Sequence, residues 1–201
     1  GQALPIIARL LEYREDADDA YLPLLLWWAV ERHAIGARSQ IMDLFARPET
    51  WELPVARDTI VERLVRRYAA EANEAGELAC ARLLAAAPQD RRGRLFAAID
   101  AGLKDRAAAA AGDSEGTLFA EVAKRDDKPH EPSRQTVKIA PKLADEIDRA
   151  WRDDTQDLTL IRLAARIGHT SAEKRAMEIA LAAATPESQR GEAGRRFSET
   201  V

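Results

Sequence analysis

The 201-residue sequence contains a single cysteine, Cys80. That excludes an intrachain disulfide and any metal site built from several cysteines. No apolar run of about 18 residues occurs, so the sequence predicts no membrane-spanning helix. Aromatics make up only 5%, and there are just 10 glycines and 9 prolines. Residues that favour strands and turns are therefore scarce. A basic surplus is missing too: Lys+Arg total 30 against Asp+Glu 34, a net charge of −4. A general nucleic-acid binder needs such a surplus to displace counterions from phosphate, so nucleic acid is not an expected partner. There is no glycine-rich phosphate loop and no nucleophilic serine elbow. Nor is there a Cys-x-x-Cys-His run, so this stretch cannot attach a c-type haem covalently. The opening Gly1-Gln2-Ala3-Leu4 lacks both an initiator methionine and a secretion signal, and reads as cut from a longer chain.

What is present points one way. Hydrophobic residues are 46%, charged residues 32%, and 40 positions are alanine, about one in five. Alanine costs no side-chain entropy in a helix, so the composition predicts an all-α protein. The chain reads as short helices separated by short breaks. Leu4 to Tyr13 carries apolar residues at Leu4, Ile7, Leu10 and Leu11, the spacing of one buried helical face. An acidic loop, Arg14 to Asp19, precedes a helix from Tyr21 to Ala34 that is apolar nearly all round and is expected to be buried on several sides. Ser39 to Ala46 makes the next piece, and Pro48 and Pro54 break the chain around Trp51. A clear amphipathic helix is predicted from about Val55 to Ala72, with Ile60, Val61, Leu64, Val65 and Tyr68 as its buried stripe. Glu77 to Ala87 and Arg91 to Lys104 form another pair, burying Leu78, Leu83, Leu84, Leu95, Phe96, Ile99 and Leu103.

The pattern then fails. Residues 105–137, with an alanine run, Gly112, Gly116, Pro129 and Pro132, are expected to be a surface connection or insertion between helical repeats at 1–104 and 138–185. Helical signal returns at Pro141 to Trp151, Leu158 to Ile167 and Ser171 to Ala183, with Gly168 as C-cap and Ser171 as N-cap between the last two. Residues 186–201 read as a polar tail. Irregular amphipathic pairs of roughly 35–45 residues with no strand signal suggest a HEAT/armadillo-like α-solenoid, with a single helical bundle as the competing architecture.

Few residues suggest chemistry. Glu15, Asp16, Asp18 and Asp19 lack EF-hand spacing and read as helix-capping acids rather than a cation site. His33, His130 and His169 have no carboxylate or cysteine spaced to share a zinc ion. Cys80 sits on an apolar helix face and reads as a small buried hydrophobe, not a nucleophile. The cluster Arg91, Arg92 and Arg94 reads as a solvated face rather than an anion site. Trp27 and Trp28 point about 100° apart on a helix, so one meets the core and the other a neighbour or groove. With Glu31, Arg32 and His33 beside them, they read first as packing and second as an aromatic platform.

Several stretches resemble one known family. The run Asp18-Asp19-Ala20-Tyr21-Leu22-Pro23-Leu24-Leu25-Leu26-Trp27-Trp28-Ala29-Val30-Glu31 is similar to a segment of the PVC-type haem-binding CxxCH proteins of the planctomycete–verrucomicrobial group, also labelled membrane-bound dehydrogenase-like. Leu64-Val65-Arg66-Arg67-Tyr68, Cys80 through Pro88, Leu95 through Arg106, Ala150-Trp151 and Leu160 through Gly168 resemble later helices of that region, in the same order. The resemblance spans about 15–185. It implies a HEAT-like helical middle between a propeller resembling soluble sugar dehydrogenases and a c-type cytochrome domain. No catalytic, cofactor or metal-binding residue carries over. The matching residues Pro23, Trp27, Trp28, Glu31, Arg66, Arg67, Trp151, Arg166 and Gly168 read as packing and interhelical polar positions, Glu31 forming an ion pair with an arginine of a neighbouring helix.

The leading expectation is thus a non-catalytic scaffold segment of a larger exported redox protein. No cofactor is expected in the segment itself, and haem c belongs elsewhere in the parent. The expected partners are neighbouring domains of the same chain or another protein, and the resemblance implies a periplasmic or exported location. The alternatives are a free-standing HEAT-like interaction module and, less favoured by the charge, a HEAT-like DNA glycosylase in which Trp27, Trp28 and the acids line a groove.

Overall fold

The computed structural model describes residues 3–115 and 136–184. The chain is all-α, and no strand occurs among the described residues. Its helices are α1 (Ala3–Leu10), α2 (Leu22–His33), α3 (Arg38–Phe45), α4 (Val61–Ala69), α5 (Glu74–Ala86), α6 (Gln89–Glu115), α7 (Pro141–Asp153), α8 (Leu158–Arg166) and α9 (Thr170–Ala184). The helix ends are made by local chemistry. Asp19 accepts hydrogen bonds from the Tyr21 and Leu22 N–H groups at 2.8 Å each, and Pro23 occupies the first turn of α2, where its missing N–H costs nothing. Asn73 caps α5 through the Gly76 N–H at 2.9 Å, and Asp157 caps α8 through Thr159 and Leu160. Gly168 has φ +90°, its N–H bonds the Ala165 carbonyl, and the His169 N–H bonds the Ala164 carbonyl. That pair of bonds is a Schellman motif, which needs the left-handed backbone that glycine adopts without strain.

Four boundaries differ from the sequence expectations. Arg14–Asp18, expected as loop, forms a 3₁₀ turn. The predicted Val55–Ala72 helix ends at Ala69, and its stretch Ala56–Ile60 is a π-helical turn that leads into α4. The expected stripe is nonetheless fully buried from Ile60 to Tyr68, because a π turn changes hydrogen bonding without ending the helix. Helix α6 runs past Lys104 to Glu115, through the alanine run assigned to the connection. Alanine extends a helix without needing a packing partner. Helix α9 begins at Thr170, so Ser171 lies inside its first turn instead of capping it. Residues 116–135 of the expected connection, with His130, Pro129 and Pro132, and the 186–201 tail lie outside the described residues.

One hydrophobic cluster extends from Ile7 to Ala172. Its helices stack in two rows. Helix α1 touches α3, α3 touches α5 and α5 touches α7; α2 touches the π turn leading into α4, α4 touches α6 and α6 touches α8. The α4–α6 contact is the most extensive. It is tight because Gly102 faces it: a Cβ there would lie 2.5 Å from the Arg66 carbonyl oxygen and 2.6 Å from Ala69 Cβ. Gly93, on the same helix, has nothing within 4 Å of such a Cβ. Gly102→Ala is therefore expected to lower stability by about 1–3 kcal/mol through overpacking. Gly93→Ala should raise it by about 0.5–1 kcal/mol through helix propensity. Urea unfolding followed by circular dichroism measures both, and equal effects at the two sites would contradict the close crossing.

Helix α2 departs from its expected burial. Leu26, Trp27 and Val30 are buried, but Leu22, Leu25 and Trp28 are exposed. The helix stands at one end of its row, so neighbours cover only one side.

Candidate functional site

Four of the residues singled out in the sequence meet at one place. Trp27 and Glu31 from α2 and Arg66 and Arg67 from α4 line a cavity of about 270 Å³, together with Arg63, Ala70 and Asp105. The i, i+3, i+4 spacing of Arg63, Arg66 and Arg67 puts all three guanidiniums on the face of α4 that turns away from the Leu64–Val65–Tyr68 core. Arg66 reaches Asp105 of α6 through two bonds, at 2.7 and 3.0 Å. Those bonds favour the ionised carboxylate and hold Asp105 below the usual range. Arg67 stands 4.0 Å from Glu31, the ion pair expected from sequence, and 3.9 Å from Glu71. Arg63 is exposed and makes no ion pair among the described residues.

The other singled-out residues fall elsewhere. Trp28 is exposed on the outer face of α2, and Pro23 serves the start of that helix. Trp151, Arg166 and Gly168 cluster where α7, α8 and α9 meet. The Trp151 Nε1–H donates to Ser171 Oγ at 3.1 Å, and its ring stands edge-on to His169 with centroids 6.2 Å apart. This accounts for Ser171: its hydroxyl oxygen accepts the indole N–H hydrogen bond, where the sequence suggested a cap.

Sequence reasoning missed three buried carboxylates. Glu71 is held by Arg38 and by Asn73 Nδ2 at 3.2 Å. Arg38 also lies 5.2 Å above the Tyr68 ring, and the buried Tyr68 hydroxyl donates to the Ala34 carbonyl at 3.0 Å. Glu77 accepts from Arg106 at 2.9 Å and from the Ala140 N–H at 2.6 Å, so one side chain of α5 ties down α6 and the entry to α7. Asp100 of α6 is paired with Lys104 at 2.7 Å, Arg166 at 3.2 Å and Arg162 at 3.7 Å. Only the cations hinted at these acids, because an acid's burial depends on helices far away in sequence. The arginine cluster of α6 is corrected in part. Arg91 reaches Asp58 at 3.0 Å and Arg92 pairs with Glu146, both half-buried where a solvated face was expected, whereas Arg94 is exposed as expected while it reaches Glu62 at 3.3 Å. Asp58 is held below its usual range, chiefly by its hydrogen bonds from Arg57.

Cys80 is fully buried, 3.4 Å from the Val65 carbonyl, and burial pushes its thiol up, so it stays protonated and unreactive at neutral pH. Among the described residues, no group of three or more His, Cys, Asp or Glu side chains is placed to hold a metal ion. The cavity is lined by three guanidiniums beside an indole, and two of them, Arg66 and Arg67, already face the carboxylates of Asp105 and Glu31, so its charges tie α2, α4 and α6 together. No family model matches the chain, and no curated protein or solved structure matches it either.

Proposed function

We propose that the chain is a non-catalytic helical scaffold of HEAT-like type, serving as the middle segment of a larger exported redox protein. In this reading it holds a propeller-type dehydrogenase-like domain and a c-type cytochrome domain at a fixed separation. The observation that carries the scaffold role is the use of the charged side chains. Glu71, Glu77, Asp100, Asp105 and Glu146 are each spent on arginines or lysines, and most of those pairs join one helix to another. Groups committed in this way fix register and do not converge on a reacting atom. The stacking of helices two apart along the chain, in two rows, supports the HEAT-like arrangement, since each pair then contacts mainly its neighbours. The placement between redox domains rests on the ordered resemblance of Asp18–Glu31 and the later helices.

Reading the gene on both sides of this stretch tests the proposal. A strand-rich propeller region upstream and a Cys-x-x-Cys-His motif downstream are the expected results. Finding neither overturns the redox-spacer role and leaves a helical interaction module, a reading that the exposed apolar face of α2 favours on its own account.

A further inference from the structure

Among the described residues, α2 carries a continuous stripe of exposed apolar side chains. Tyr21 at the N-cap is 74% exposed, Leu25 50% and Trp28 55%. With Arg32 they follow the i, i+4, i+7, i+11 spacing, which keeps four side chains within a narrow arc opposite the buried Leu26 and Val30. Isolated exposed hydrophobes are ordinary, but an indole, a leucine and a phenol in one row are not. Neighbouring α1 leaves Ile6 and Leu10 exposed as well, and Tyr13 is exposed just beyond its end.

The charges near this stripe are unspent. Arg32 makes no ion pair among the described residues, and neither do Glu15 and Asp18 in the turn before α2. The row therefore has an acidic approach at the Tyr21 end, an apolar centre, and a free guanidinium at the other end. Such a pattern is complementary to itself when reversed. Place a two-fold axis across α2 midway between Leu25 and Trp28. Leu25 of one copy then meets Trp28 of the other, and Tyr21 meets Arg32, each pair occurring twice. The guanidinium lands on the phenol ring beside the opposite acidic turn, a cation–π contact with a counter-charge at hand. A parallel pairing would set Arg32 against Arg32, so charge selects the antiparallel arrangement.

We propose that this stripe is the interface of a symmetric homodimer, with α2 packed antiparallel on α2 of a second copy. The contact is isologous and closes on itself, as a two-fold interface must. Trp28 is its anchor, since a large aromatic at the centre of a patch loses the most water.

Sedimentation equilibrium of the 201-residue chain tests this. The expected result is a dimer, with Trp28→Asp and Leu25→Asp each giving a monomer whose circular dichroism is unchanged. Tyr21→Arg sets guanidinium against guanidinium and is expected to weaken association at least about tenfold. Combining it with Arg32→Tyr re-creates the pair with its members exchanged and should recover most of that loss. A chain that stays monomeric up to roughly 100 µM, or a dimer indifferent to Trp28→Asp, overturns the interface. A dimer in which the exchanged double variant fails to recover overturns the antiparallel register.

Discussion

Tyr68→Ala is expected to destabilise the protein by about 3–5 kcal/mol, a large share of the roughly 5–15 kcal/mol that holds a typical domain folded. The side chain is fully buried, it is the largest in the core with no accessible surface, and three different contacts converge on it. The ring packs within α4's buried stripe, Arg38 lies over its face, and the hydroxyl satisfies the Ala34 carbonyl at the end of α2. Truncation leaves a cavity, strands a buried carbonyl and removes the surface on which Arg38 rests. Tyr68→Phe separates these effects. It keeps the volume and loses only the hydrogen bond, so a cost of about 1 kcal/mol is expected. Chemical denaturation of the three proteins gives the comparison, and similar losses for Phe and Ala would show that the hydroxyl, not the packing, dominates. Burial also pushes the phenol up, because the charged form is disfavoured inside. A raised acid leaves stability intact below its unfolded value near 10 and erodes it as pH climbs above that value.

The second large effect is at Glu77. Glu77→Ala removes the acceptor of both Arg106 and the Ala140 N–H, and about 3 kcal/mol of stability should go with it. Arg106 is only partly buried and can turn toward water, whereas the Ala140 N–H sits on a buried residue. The backbone donor therefore bears most of the cost. Glu77→Gln retains one carbonyl oxygen and is expected to lose about half as much. Amide hydrogen exchange at Ala140 distinguishes this from a general loss of stability. Protection there should fall more than protection within α4, and a uniform fall would contradict the tie between α5 and the entry to α7.

The all-α class and most of the core were legible in the sequence because both are periodic properties. Ile60 to Tyr68 and Leu83 to Leu103 announce a face by spacing alone, and the spacing survives the π turn at Ala56–Ile60. Trp27, Glu31, Arg66 and Arg67 stood out through the family resemblance and not through spacing, and no feature of those runs placed them around one cavity. Nor was the cavity's remaining wall legible. Asp105 comes from α6, past the point where the helix seemed to end, since an alanine run beside glycines reads equally well as helix or connection. Glu71, Glu77 and Asp100 look like ordinary surface acids, and only the register of distant arginines reveals that they are buried. The exposed face of α2 was hidden for the opposite reason. A row of leucines and tryptophans states that a helix is greasy, but not on how many sides it has neighbours.

Every substantial contact in the described chain joins helices that are adjacent or two apart in order. The fold thus behaves as a ladder whose rungs can be lost from an end. Opening α1 and α2 forfeits their own contacts and leaves the junction of α7, α8 and α9 untouched. The cost of such an opening is set locally, at the rung where the apolar row of α2 faces water. In the proposed dimer, the second copy that covers that row acts as a clamp on the first rung and decides how readily the rest begins to unzip.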